Sequence, residues 1–208
     1  MRLIHSTLFL ASALALGACQ RQEPPAAATA PETAPAATDA EHAEHAPDTT
    51  PGEAATGPVL AKATLAPTQG NDVKGEIDFI QLASGLHASG KLSGLKPNSE
   101  HGFHIHEKGD CSAPDASSAG GHFNPANTDH GNVNSDPHHG GDMPNIVADA
   151  EGNATIDGPV SSNVNAGKGD AFDIIGKGLI VHADPDDYAT QPTGNAGGRL
   201  ACAVIEAP

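Results

Sequence analysis

The sequence predicts an all-β domain of about eight short strands, and three observations carry that expectation. Short stretches alternate apolar and polar residues at period two, the spacing of a strand with one buried face. Glycine and proline are abundant, 24 and 17 of 208 residues, and punctuate those stretches as turns. The chain has no Trp, one Tyr and five Phe, so a core must be assembled mainly from Val, Ile, Leu and Ala, and no long stretch repeats them at helical spacing.

In chain order, residues 61–65 and 73–82 give the first two strands. In the second, Ile77, Phe79 and Gln81 share one face and Asp78, Ile80 and Leu82 the other. Residues 86–92 and 101–106 follow, with His87 expected as an exposed strand residue. Residues 146–150 and 154–156 flank Glu151-Gly152-Asn153, a hairpin signal. Residues 174–182 and 200–205 complete the set.

The chain ahead of these strands reads differently. Residues 1–18 place Arg2 before an apolar run and small residues before Cys19, which is a secretory signal too short to span a membrane as a helix. Leu16-Gly17-Ala18-Cys19 resembles the bacterial lipoprotein processing box. That resemblance implies cleavage before Cys19 and lipid attachment to it, hence a membrane anchor in the periplasm or cell envelope. Gln20 points to the outer membrane if the cell is Gram-negative. Residues 19–57 are Pro-, Ala-, Thr- and Glu-rich without a large apolar side chain, the composition of a disordered tether. It would reach up to roughly 100 Å if extended. His42 and His45 in EHAEH read as part of this solvated spacer. The folded domain is expected over residues 58–208.

A net charge of −16 excludes the basic surface that nucleic acid requires. The chemistry concentrates between His101 and Asp142, where seven of the twelve histidines fall: His101, His104, His106, His122, His130, His138 and His139. Neutral imidazole is the commonest protein ligand for zinc and copper. His104-Ile105-His106 puts two imidazoles on one strand face with Ile105 turned into the core. His139-Gly140-Gly141-Asp142 adds a carboxylate three residues after an imidazole. His182 ends the apolar run Leu179-Ile180-Val181 and offers another imidazole on rigid structure.

The segments GFHIHEKGDC, GGHFNP, HHGGDMPN, IIGKGLIVHADPDD and GNAGGRLACAVI together resemble copper/zinc superoxide dismutases of the bacterial periplasmic type, from about residue 58 to the C-terminus. The resemblance implies an eight-stranded Greek-key β-sandwich or barrel with long metal-binding loops. It implies one copper held by His104, His106, His122 and His182, and one zinc held by His122, His130, His139 and Asp142, with His122 bridging the two. His138 competes with His139, and the family spacing from His122 selects His139. Asp186 matches the carboxylate that links a copper-side to a zinc-side histidine, His101 a structural histidine, and Arg199 the arginine that attracts and orients superoxide. The resemblance also pairs Cys111 with Cys202, leaving Cys19 for lipid. It implies an enzyme that dismutates superoxide to oxygen and hydrogen peroxide by alternately reducing and oxidising the copper, with His122 and Arg199 catalytic and zinc structural and tuning. The role implied is antioxidant defence outside the cytoplasm.

Two departures bear on these expectations. The stretch from His182 to Arg199 contains no Lys, so a steering lysine from the eukaryotic relatives has no counterpart there, and Lys108 on the disulfide loop is the candidate substitute. Bacterial relatives include monomers and dimers, so a homodimer is one of two expected assemblies. The alternative from another class is a noncatalytic copper/zinc-binding module of the same fold. A zinc hydrolase is disfavoured because the zinc set is already filled by protein ligands, leaving no open position for water.

Overall fold

The computed structural model describes residues 56–208, and the expected signal segment, Cys19, His42 and His45 lie outside the described residues. The described chain forms nine strands: β1 (Val59–Pro67), β2 (Lys74–Leu82), β3 (Gly85–Ser93), β4 (Glu100–His101), β5 (Phe103–His106), β6 (Ile146–Val147), β7 (Ala154–Pro159), β8 (Gly178–His182) and β9 (Arg199–Glu206). Among the described residues the only helical turn is a 3-10 turn at Ser117–Ala119.

Seven strands make one sheet in the order β5-β8-β9-β1-β2-β3-β7, and β4 pairs with β6 separately. Every pairing is antiparallel. β3 neighbours β7 and β5 neighbours β8, so the long connections pass between strands distant in sequence, the Greek-key device. The sheet curls around one apolar core in which Phe79, Phe103, Ile77, Ile105, Leu179 and Ile205 are among the largest fully buried side chains. Burying each such side chain contributes about 1.5–3 kcal/mol.

The expected strands are present, with three informative differences. The stretch expected as strand over residues 146–150 is strand only at Ile146–Val147, and it pairs with β4 while β7 pairs with β3, so the two do not form the expected hairpin. The fourth expected strand is divided at Gly102 into β4 and β5. There the N–H of Gly102 donates to the Asp184 carbonyl (2.9 Å), and the Gly102 carbonyl accepts from His182 (2.8 Å). A Cβ at this position would press on Ala196 and the His104 ring, so only glycine lets the chain after β8 approach so closely. The strand expected to begin near residue 174 begins at Gly178 instead. The N–H of Lys177 donates to the Ile174 carbonyl (3.0 Å) across Gly176, whose φ of +82° makes a turn where apolar periodicity alone suggests continued strand.

A second, smaller cluster of Ala116, Ala119, Ile180 and Cys202 lies under the loop between β5 and the histidine-rich segment. That loop is fastened by a disulfide between Cys111 and Cys202 spanning 91 residues, with Cα atoms 5.8 Å apart.

Candidate metal centre

β5 is the foundation of the site. Phe103 and Ile105 point into the apolar core, which leaves His104 and His106 as the alternate positions of the same strand. β8 pairs with β5 and ends at His182. The histidine-rich segment is not itself a strand and is tied to β5 through main-chain bonds. The N–H of Phe123 donates to the Ile105 carbonyl (2.8 Å), that of Ile105 to Gly141 (2.9 Å), and that of Gly141 to Phe123 (2.7 Å). A Cβ on Gly141 would collide with the Ile105 carbonyl. This three-way junction places His122 and Asp142, the neighbours of Phe123 and Gly141, beside His104 and His106.

Two sets of donor atoms result. His104, His106, His122 and His182 each offer a nitrogen within 4.8 Å of the others, and so do His122, His130, His139 and Asp142 through nitrogens and a carboxylate oxygen. All seven residues are buried, and His122 belongs to both sets.

The hydrogen bonds determine which nitrogen of each ring is left for a metal. Nδ1 of His106 faces the Gly120 carbonyl at 2.9 Å and Nδ1 of His182 faces that of Gly197 at 3.4 Å. With those protons donated outward, the two Nε2 atoms present lone pairs to one another at 3.2 Å. Nε2 of His104 is paired with Asp186 Oδ2 at 2.9 Å, leaving its Nδ1 buried without a partner. Nε2 of His122 is likewise buried and unpartnered. Four bare imidazole nitrogens converging in a buried space repel unless a cation lies among them, so this set fits a soft-to-intermediate metal such as copper.

In the second set, Asp142 Oδ1 lies 2.8 Å from Nδ1 of His122, 3.0 Å from Nδ1 of His130 and 3.4 Å from Nδ1 of His139. Asp142 Oδ2 accepts from the N–H groups of Gly131 (3.0 Å) and His139 (2.7 Å). Three imidazoles and one carboxylate form a closed four-donor set of the kind zinc takes.

Burial pushes His122 down to about 4 and His182 down to about 2, with neighbouring imidazoles adding to the effect on both, and burial holds His106 well below the ordinary histidine value. These rings are therefore neutral at physiological pH, as metal ligands must be. His130 differs. Burial alone would lower it, but hydrogen bonds to Asp142 and Asp186 prevail and raise it to about 9. Burial would raise both Asp142 and Asp186, yet their histidine partners hold each well below the usual carboxylate range.

Asp186 joins the two sets: Oδ2 meets His104 and Oδ1 meets Nε2 of His130, each at 2.9 Å. Asp186 thus connects one histidine of the four-imidazole set with one of the second set. Its main chain is fixed by Asn145, which sequence reasoning missed. Asn145 Oδ1 accepts from the Asp186 N–H (3.0 Å) and Nδ2 donates to the Asp186 carbonyl (2.9 Å). Met143-Pro144-Asn145 next to the histidine run was the available signal, but one asparagine in a loop does not announce its partner.

His138 and His139, adjacent in sequence, part company in space. Nδ1 of His138 is 2.7 Å from the Ser135 carbonyl and Nε2 is 2.9 Å from Ser161 Oγ, so neither nitrogen is free, whereas Nδ1 of His139 has no hydrogen-bond partner. His101 sits behind β8, its Nδ1 2.8 Å from the His182 carbonyl and its Nε2 2.6 Å from Ser99 Oγ. His87 is half-buried and meets Asp157 at 2.5 Å across the sheet.

Arg199 stands opposite His182 in the β8–β9 ladder, where the register shifts. Nη1 donates to the Ala116 carbonyl and Nη2 to the Gly120 carbonyl, each at 2.6 Å. Both acceptors lie on the loop that Cys111 fastens to β9. Lys108 is exposed, 3.8 Å from Glu107, which offsets its charge locally.

Comparisons with known proteins agree with this geometry. Residues 73–205 match the family described as copper/zinc superoxide dismutase. A copper/zinc superoxide dismutase of Aquifex aeolicus is 43% identical over 147 residues, covering 70% of this chain and 85% of that protein. One of Caulobacter vibrioides is 43% identical over 150 residues, covering 70% and 85%. Among solved structures, a superoxide dismutase-like protein from Bacillus subtilis superposes with a TM-score of 0.61 at 36% identity, covering 69% of this chain and 96% of that one.

Proposed function

This chain belongs to the copper/zinc superoxide dismutase family, and from that premise we propose how its own residues carry out superoxide dismutation and where they do so. The observation that carries the proposal is the shared His122, with a complete donor set on each side and Arg199 beside the four-imidazole set.

Copper would be held by His104, His106, His122 and His182, and zinc by His122, His130, His139 and Asp142. Copper would supply the one-electron chemistry that zinc lacks, and zinc a fixed positive charge. Two superoxide anions and two protons give one dioxygen and one hydrogen peroxide. Arg199 attracts and orients the diatomic anion. Its fork is held by two carbonyls, so its remaining N–H groups have a fixed direction. Nε2 of His122, the nitrogen without a protein partner, would take up and hand on a proton for the product, while its Nδ1 faces Asp142 within the second donor set. Asp186 fixes the tautomers of His104 and His130, so that each offers Nδ1 to its set.

The setting proposed is outside the cytoplasm. Signal cleavage before Cys19, lipid on Cys19 and the tether of residues 19–57 would hold the enzyme to the periplasmic side of the cell envelope. The Cys111–Cys202 bridge suits that oxidising compartment. Superoxide is an anion and crosses membranes poorly, so an anchored enzyme would act on superoxide produced outside. Incorporation of labelled fatty acid into the wild type, and its loss in Cys19→Ala, tests the anchor; equal labelling of both sinks it.

A second reading is kept because a Bacillus subtilis relative, 38% identical over 135 residues, is named only superoxide dismutase-like. In that reading the chain binds copper and zinc without catalysis. The deciding experiment is superoxide decay with the protein carrying zinc alone and then copper plus zinc. Activity that requires copper and falls sharply in Arg199→Ala supports the enzyme. Full metal loading and a closed disulfide without activity supports the binding module.

A further inference from the structure

Zinc-side His130 belongs to no strand, yet its main chain is held at both polar groups by one distant side chain. Gln191 Oε1 accepts the His130 N–H and Gln191 Nε2 donates to the His130 carbonyl, both at 2.9 Å and across 61 residues of sequence. We propose that Gln191 is a positioning residue that fixes His130 through its main chain, and that this clamp governs how firmly the centre keeps zinc.

The inference rests on the assignment of zinc to the His130 set made above. A carboxamide is the side chain able to reproduce a peptide's paired donor and acceptor, so Gln191 acts as one extra rung of antiparallel ladder where no strand exists. Its second Nε2 hydrogen reaches the Ala189 carbonyl at 3.4 Å. The turn that carries Gln191 is closed by Asp187, which accepts from the N–H groups of Ala189 and Thr190, and by Gly194, whose N–H donates to the Thr190 carbonyl. At the other end of His130, Nε2 is taken by Asp186. With the main chain clamped and Nε2 occupied, Nδ1 is the only donor left, and it faces Asp142 Oδ1. Gly194 completes the fit, because any Cβ there would overlap Asp186 Oδ1 and crowd Nε2 of His130.

The test uses the full chain loaded with copper and zinc and follows release of each metal to an excess of coloured chelator at neutral pH. In Gln191→Ala zinc should leave about tenfold faster while copper release changes less than about twofold, the span expected when a ligand's supporting partner is lost. Gln191→Glu should not rescue, since a carboxylate accepts the N–H of His130 but has no proton for its carbonyl. Thr190→Ala loosens the same turn without touching His130, because Thr190 Oγ bonds only Asp187 and Asn195. It should release zinc within about twofold of the wild type. With cobalt(II) in the zinc position, the visible bands should change in Gln191→Ala and not in Thr190→Ala. Zinc release from Gln191→Ala at the wild-type rate, or equally fast release from Thr190→Ala, overturns the inference and leaves the zinc assignment standing. If His130→Ala keeps zinc as well as the wild type, the assignment itself fails and the inference with it.

Discussion

The two donor sets are built on different kinds of structure. Three histidines of the proposed copper set, His104, His106 and His182, stand on β5 and β8, whose pairing fixes the main chain rung by rung. The residues of the proposed zinc set, His130, His139 and Asp142, stand on a segment without strand structure, where single side chains supply the missing rungs: Gln191 holds the main chain of His130, and Asp142 itself accepts the N–H of His139. A ladder places a ligand as a by-product of folding. A loop ligand must be placed by contacts made one at a time, so the zinc side should respond more sharply to single substitutions.

The largest expected effect comes where the two regions share a residue. His122→Ala removes a donor from both sets and, in the proposed mechanism, the nitrogen that carries the proton. Superoxide decay measured by stopped flow should slow by at least about a thousandfold, and metal analysis should show both ions weakened. Loss of zinc with full copper occupancy and activity would break the account of a shared ligand.

Next in size is the disulfide. Replacing Cys111 and Cys202 by Ser frees a 91-residue loop and should cost up to about 4–5 kcal/mol on the chain-entropy account. Denaturant unfolding of the metal-free protein reads the loss. Activity should also fall, because Arg199 takes its orientation from Ala116 and Gly120 on the fastened loop. Unchanged stability would mean that ladder bonds alone hold that region.

A pH titration of the metal-free protein separates the sets by sign. His122 and His182 are pushed down to about 4 and about 2 from the ordinary 6.5, and His106 moves the same way. Their contribution is complete above 6.5 and is lost as pH falls, because the unfolded chain then binds protons that the folded chain refuses. Asp142 and Asp186, held low by their partners, add a further loss as pH falls below their unfolded value of 3.8. His130 works in the opposite direction: raised to about 9, it contributes below 6.5 and its contribution is lost as pH rises through 9. The unfolding free energy should therefore drop between pH 6.5 and 4, by on the order of a few kcal/mol, and the denaturation midpoint with it. His130→Gln should flatten the alkaline limb and, by removing a partner of both Asp142 and Asp186, also lessen the loss below pH 3.8. A midpoint that rises on acidification would contradict the neutral, buried state of the copper-side rings.

The smallest effect sharpens the comparison most. Asp186→Asn keeps the shape of the link but can no longer accept from both His104 and His130. Zinc affinity should fall about 10–100-fold and copper affinity less, since His104 remains on its ladder and His130 does not. Competition with a chelator for each metal in turn measures the difference; equal losses would erase the distinction between strand-borne and loop-borne ligands.

What the sequence determined by itself was the chemistry and its local presentation. Alternation around Ile105 sets His104 and His106 on one face because a strand repeats every two residues. The crowd of imidazoles near Asp142 specifies a metal site whatever the fold, and the motif resemblance carried the pairing of Cys111 with Cys202 and the link through Asp186. Tertiary structure decided what local periodicity cannot express. It engaged both nitrogens of His138 and left Nδ1 of His139 open. It broke the fourth strand at Gly102 so that the chain after β8 could pass close to His104. It also brought Asn145 to the main chain of Asp186 and Gln191 to that of His130, across 41 and 61 residues. The physical reason is the range of the forces involved. Periodicity reports the solvent each residue faces along its own element, while a clamp between two loops depends on where the whole sheet delivers their ends.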